Sequence, residues 1–163
     1  MTNVELKVFC ELLRDSKQSD RELARVLGVS QPTVTRLRHK LVREGWVRQF
    51  TVVPGFLKLG FRILVFSFFR SRLSKGSVDG DASALLSKPE VVFAAECNGM
   101  GMDSVVVSLH GSYSDYVDFV RKLQLEGGAD VKMADSVIIG LEGSVLRHFT
   151  LGELAGTLQE KEA

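Results

Sequence analysis

Between Ser30 and Arg43 the sequence SQPTVTRLRHKLVR sets basic and hydrogen-bonding side chains among apolar ones at helical spacing. Val34, Leu37 and Leu41 are the stripe that such a helix would bury. A projection centred away from them exposes Pro32, Thr35, Arg36, His39 and Arg43, with Gln31 and Thr33 beside the N-terminal tip. This set suits recognition better than catalysis. Arginine and glutamine have donor geometry for purine edges, threonine methyls suit thymine, and Lys40 and Arg43 suit phosphates. Trp46–Val53 then reads as a small β-wing that would bring Arg48 near a sugar–phosphate backbone.

The elements that must position these groups are legible upstream. Val4, Val8, Phe9, Leu12 and Leu13 recur at helical spacing, and a polar break at Asp15–Gln18 ends that first helix. Ser19-Asp20-Arg21-Glu22 is a capping box that opens a second helix. Gly28 stops it where a left-handed turn costs glycine little, and Val29 fills the corner. Ser30 caps the third helix, Pro32 is tolerated in its first turn, and Gly45 ends it. Two short helices joined by a tight glycine turn present the second outward. A basic helix face alone is more often simply solvated. The capping box, glycine corner, serine start, outward Thr/Arg/His face and β-wing, in that order, make duplex DNA the expected partner. A winged helix used only for protein contact is the alternative.

Charge agrees. Residues 1–60 carry eleven Lys/Arg against six Asp/Glu, whereas the remainder carries ten against fourteen, so the net charge of +1 hides a basic front half. An anionic partner is therefore expected for the front only. Cys10 and Cys97 lie in apolar runs without metal-ligand spacing and read as buried thiols. His39, His110 and His148 are widely spaced. No phosphate loop, nucleophile elbow or zinc-ligand pair occurs, so neither enzyme nor metal site is expected. The longest apolar run, Ile63–Phe69, is far too short to cross a bilayer and no signal peptide is evident, so a cytoplasmic protein is expected.

Residues 61–141 have a different pattern. Phe61–Arg72, Val91–Asn98, Ser104–Gly111 and Val131–Leu141 are candidate strands, rich in β-branched and aromatic residues. Helices are expected at Asp81–Ser87 and Ser114–Leu125, the second with Tyr113, Tyr116, Val117, Val120 and Leu123 on one face. The order β-α-β-β-α-β is the ferredoxin-like arrangement, so the chain is expected to be α+β, a winged helix-turn-helix followed by a ferredoxin-like domain. The expected boundaries are 1–53, a linker at 54–60, the sheet domain at 61–145 and a C-terminal segment at 146–163. Three strands are apolar on both faces, and two helices cover only one of them. A homodimer built sheet to sheet would cover the other. Thr150-Leu151-Gly152-Glu153, a second capping box, could instead open a helix that does so.

Arg21–Ser30, Leu41 through Gly45-Trp46-Val47, and Pro54 to Lys58-Leu59-Gly60 resemble the leucine-responsive regulator/AsnC family, its archaeal members most. The resemblance covers nearly the whole chain. One departure is the order Leu37-Arg38, where the family usually places arginine then an aliphatic; this order is more like that of the multiple-antibiotic-resistance regulators. The resemblance implies a regulator with the same dimer, often assembled further, and an effector-binding sheet domain; no cofactor is expected. It also implies that the turn Asn98-Gly99-Met100-Gly101-Met102-Asp103 borders a pocket for an amino acid or other small molecule. There Met100 and Met102 would line an adaptable apolar wall, and Asp103 would face an ammonium group. On its residues alone the segment is a hairpin with two glycines at positive φ. Two other readings remain open. Sirohaem decarboxylases resemble the same two-domain family, and an architectural DNA-binding protein would need no effector.

Overall fold

The computed structural model describes residues 1–70, 85–126 and 133–160. The chain forms two compact units, Met1–Val53 together with His148–Ala163, and Pro54–Arg147.

The first unit contains α1 (Asn3–Arg14), α2 (Asp20–Leu27) and α3 (Gln31–Arg43). Val8, Leu12, Leu23, Ala24, Val34, Leu37 and Leu41 close one core between them, with Val29 and Val47 against it. The Ser19 hydroxyl accepts from the Glu22 amide at 3.2 Å, and the Glu22 carboxylate accepts from the Ser19 amide at 2.8 Å. Gly28 adopts φ 67°, the left-handed corner expected between α2 and α3. A further capping box lies at the N-terminus of α1. There Thr2 and Glu5 bond reciprocally.

Two expectations for this unit are corrected. Trp46–Val53 forms no strand ladder among the described residues, because a wing needs a second strand to pair with. Val47 instead donates its amide to the Leu41 carbonyl and seals the helical core, while Trp46, Phe50, Val52 and Val53 stay exposed. The C-terminal helix (Leu154–Glu160) starts at Leu154 rather than from a capping box at Thr150, whose hydroxyl accepts from Gly152 in a local turn. It packs on α1 within the first unit. Leu6, Cys10 and Ala155 are buried together, and Arg14 donates to Gln159 at 2.8 Å.

The second unit is an antiparallel sheet of β1 (Ile63–Phe69), β2 (Val91–Gly99), β3 (Met102–His110) and β4 (Met133–Gly140), in the order β2-β3-β1-β4. The register sets the two faces, because paired residues share one: Val65 and Val106 point one way, and Phe66, Val107 and Val137 the other. The first face carries α4 (Tyr113–Glu126), with Val65, Phe69, Leu85, Val106, Tyr116, Phe119 and Leu123 as its core. The buried stripe of α4 is thus Tyr116, Phe119 and Leu123; Tyr113, expected on it, is exposed. On the second face Leu64, Val107 and Leu109 are buried, with Phe56 and Phe61 against them, while Phe93 and Val137 remain 54% and 53% exposed. The expected helix at 81–87, the strand residues 71–72 and the first two residues of the fourth strand lie mostly outside the described residues.

Candidate nucleic-acid interface

The sequence-read groups on α3 form two sets that share Thr35. Gln31, Pro32, Thr35, Arg36, His39 and Arg43 line one open concavity on the helix surface, spaced so that each turn contributes. Gln31, Pro32, Arg36, His39 and Arg43 are all exposed. No hydrogen bond or ion pair with another described residue occupies the guanidinium groups of Arg36 and Arg43.

The second set is tied down. Ser30 caps the helix by accepting from the Thr33 amide at 3.3 Å, and the two hydroxyls lie 2.8 Å apart. Thr35 donates its hydroxyl to Asp20 at 2.6 Å. Lys40, expected at a phosphate, meets the Glu5 carboxylate at 2.5 Å and Glu44 at 3.8 Å. Glu5 is held down to about 2 from the ordinary 4.5, first by the Lys40 hydrogen bond and then by the Thr2 amide. Lys40 is shifted upward, chiefly by the same bond. The ammonium therefore clasps α3 to α1 and is not offered outward. Arg48 is exposed, but it stands on a segment without the wing that was to carry it.

Asp20, Arg38 and Glu5 are the structural groups that sequence reading did not assign. Arg38 donates from Nε to Asp20 at 2.8 Å and from its terminal nitrogen to the Gln18 carbonyl at 2.8 Å. Its guanidinium also lies 5.7 Å from the Phe50 ring centroid, within cation–π range. Asp20 thus binds both Thr35 and Arg38 and sets α3 against the start of α2. These partners are 15 and 18 residues apart, so no local spacing signals them. The unusual order Leu37-Arg38 has this outcome: Leu37 is core and Arg38 is a clamp.

In the sheet unit, the segment Asn98–Asp103 collapses to a two-residue turn. Asn98 and Gly99 end β2, Met102 and Asp103 begin β3, and Gly99 pairs with Met102. Met100 and Gly101 occupy the turn at φ 52° and 70°, the mirror-image geometry that matches strand twist. A methionine in this conformation costs on the order of 1 kcal/mol, where a glycine would not. Met100 is 95% exposed and Asp103 half-buried. At the other end of β3, His110 is buried between Tyr116 and Phe119, bonded to Ser108 at 2.8 Å, and shifted downward by burial. This is a structural histidine.

Residues 1–48 match the family described as winged helix-turn-helix DNA-binding. The chain is 28% identical over 99 residues to the HTH-type transcriptional regulator FL11 of Pyrococcus furiosus, covering 61% of this chain and 64% of that one. The match thus spans slightly less than two thirds of that relative. Among solved structures, a transcriptional regulator of Neisseria meningitidis in complex with L-Met superposes with TM-score 0.79 at 19% identity, over 93% of this chain and 95% of that one. An AsnC family transcriptional regulator of Agrobacterium tumefaciens does so with TM-score 0.72 at 19% identity, over 92% and 94%.

Proposed function

We propose that this chain, a homologue of HTH-type transcriptional regulators with the fold of AsnC-family regulators, is itself a sequence-specific DNA-binding transcription regulator. The observation that carries this is the outward stripe of α3. Gln31, Arg36, His39 and Arg43 share one open surface, and no side-chain hydrogen bond or ion pair with another described residue occupies them. Arginine supplies a bidentate fork to guanine, glutamine to adenine, and Arg43 reaches phosphate. Ser30 and Thr33 hold the helix N-terminus, whose dipole favours a phosphate beside it. Arg48 contributes a further backbone contact.

The protein acts as a homodimer. The sheet face carrying Phe66, Val107 and Ile139 leaves Phe93 and Val137 in water, and a second copy covers it. A two-fold protein then reads a two-fold operator, with half-sites about 34–36 Å apart. A small molecule such as an amino acid modulates it, bound beside Asn98–Asp103 where two copies meet. Met100, Met102 and Asp103 form this chain's share of the pocket, with Gly99 and Gly101 leaving room for close approach. A protein of the same fold that binds L-Met supports this reading. The chain has no enzymatic role in this account.

Selection of bound sequences from random duplex DNA, with and without an amino-acid mixture, tests the proposal. A recovered two-fold motif, with affinity that shifts when amino acids are added, is the expected result. Recovery of no motif would overturn it.

A further inference from the structure

Resting on that DNA-binding reading, we infer that Thr35 reads a thymine through its methyl group, with Asp20 as the positioning residue that turns its hydroxyl away from the bases. Thr35 lines the outward concavity beside Gln31, Pro32, Arg36 and His39, so it stands among the groups that meet base edges. A threonine there could present either a hydroxyl, which accepts several bases, or a methyl, which favours the 5-methyl of thymine. The fold makes the choice.

The hydroxyl oxygen lies 2.6 Å from one Asp20 carboxylate oxygen and 3.2 Å from the Gln31 carbonyl one turn back. A hydroxyl has a single hydrogen to donate, and the shorter bond to a charged acceptor takes it. Asp20 cannot readily release it. Its other oxygen holds Arg38 Nε at 2.8 Å, and Arg38 is anchored in turn on the Gln18 carbonyl at 2.8 Å. The Asp20 and Arg38 side chains are only 22% and 18% exposed, which shields the pair from exchange with water. A helical threonine has two accessible rotamers, and this network selects the one that holds the hydroxyl on Asp20 and commits its only hydrogen there. Thr35 then has no donor left for the groove, and its methyl is the group that distinguishes thymine.

The test uses the full-length protein and the operator recovered by selection, with each thymine replaced in turn by deoxyuridine, which removes only the 5-methyl. Wild type should lose about fourfold in affinity at one position per half-site, the worth of one buried methyl-sized group. Thr35→Ser keeps the hydroxyl and deletes the methyl, so it should bind both operators alike. Thr35→Val keeps a methyl and deletes the hydroxyl, and should retain the uracil penalty. A merely structural role for Thr35 would move overall affinity without changing that pattern. An operator at which no uracil substitution matters, or a Thr35→Ser variant that keeps the full penalty, would overturn the inference alone. Failure to recover any operator would overturn the DNA-binding reading and this inference with it.

Discussion

The outward stripe of α3 and the turn between β2 and β3 both set a few polar groups beside apolar ones, yet they are built in different ways. The stripe is complete within one unit: helical spacing alone gathers Gln31, Pro32, Arg36, His39 and Arg43 on one surface. The turn gathers little. Met100 and Gly101 project from the end of a two-stranded edge, and Met100 is almost fully exposed. A helix face can thus be a finished site, whereas a hairpin tip becomes a wall of a pocket only when another surface is brought to it. Breaking either site should therefore have separable consequences.

The largest expected effect lies on the stripe. Arg36→Ala should weaken specific binding by about 1–3 kcal/mol and relax the preference at one operator position, because a bidentate guanine contact is lost. Affinities for the operator and its single-base variants check this. Unchanged affinity and preference would mean that α3 docks differently.

A smaller and more diagnostic effect separates two cations on the same helix. Arg43→Ala should weaken binding on all sequences and reduce the slope of affinity against salt by about 1, since one phosphate contact disappears. Lys40→Ala should leave that slope unchanged, because its ammonium is committed to Glu5. It should instead lower the melting temperature of the protein. A salt titration of both variants decides the matter, and equal slopes for the two would return Lys40 to the DNA-facing set.

The Glu5–Lys40 pair also has a pH signature. Glu5 is lower in the folded protein than in the unfolded chain, so its contribution is fully present above about pH 4.5 and is lost as pH falls towards 2. Melting temperatures measured down that range should fall less steeply for Glu5→Gln than for wild type. Parallel curves would show that the pair does not hold α3 to α1.

How far these sites were legible in the sequence depends on the range of the contacts. The helices of the first unit follow from local signals: Ser19 with Glu22, Gly28, Ser30, and an apolar stripe repeating every three or four residues. The four strands and their two apolar faces follow from strand composition, whereas their order in the sheet comes from the structure. Partner choice does not. Thr35 and Lys40 read as DNA-facing groups beside Arg36 and Arg43, and Arg38 carried no assignment, yet their acceptors Asp20 and Glu5 lie on other helices. Only the packing angle brings them within reach. The β-wing misled for the same reason, since β-propensity in Trp46–Val53 supplies one strand and no partner. The C-terminal helix was read in its place along the chain but not on its surface, because Ala155 and Leu158 fit α1 through shape rather than any spacing rule.

The last prediction concerns the turn, where the effect on DNA binding itself should be smallest. A ligand held beside Asn98–Asp103 can alter operator affinity only by favouring one placement of the two α3 helices over another. The expected coupling is about 1–3 kcal/mol, and by reciprocity operator DNA must change ligand affinity by the same factor. Asp103 lies on β3 in the sheet unit, whereas every DNA-facing group assigned above lies in the other unit. Asp103→Ala should therefore leave ligand-free operator binding unchanged and abolish the ligand effect, because the ammonium partner is gone. An operator titration of wild type and variant against a panel of amino acids measures both quantities. A ligand that acts equally on the two proteins would show that Asp103 is not its partner. A variant that loses ligand-free DNA binding would show that the turn and the stripe are not separable, and the contrast between a finished site and a shared one would fail at that point.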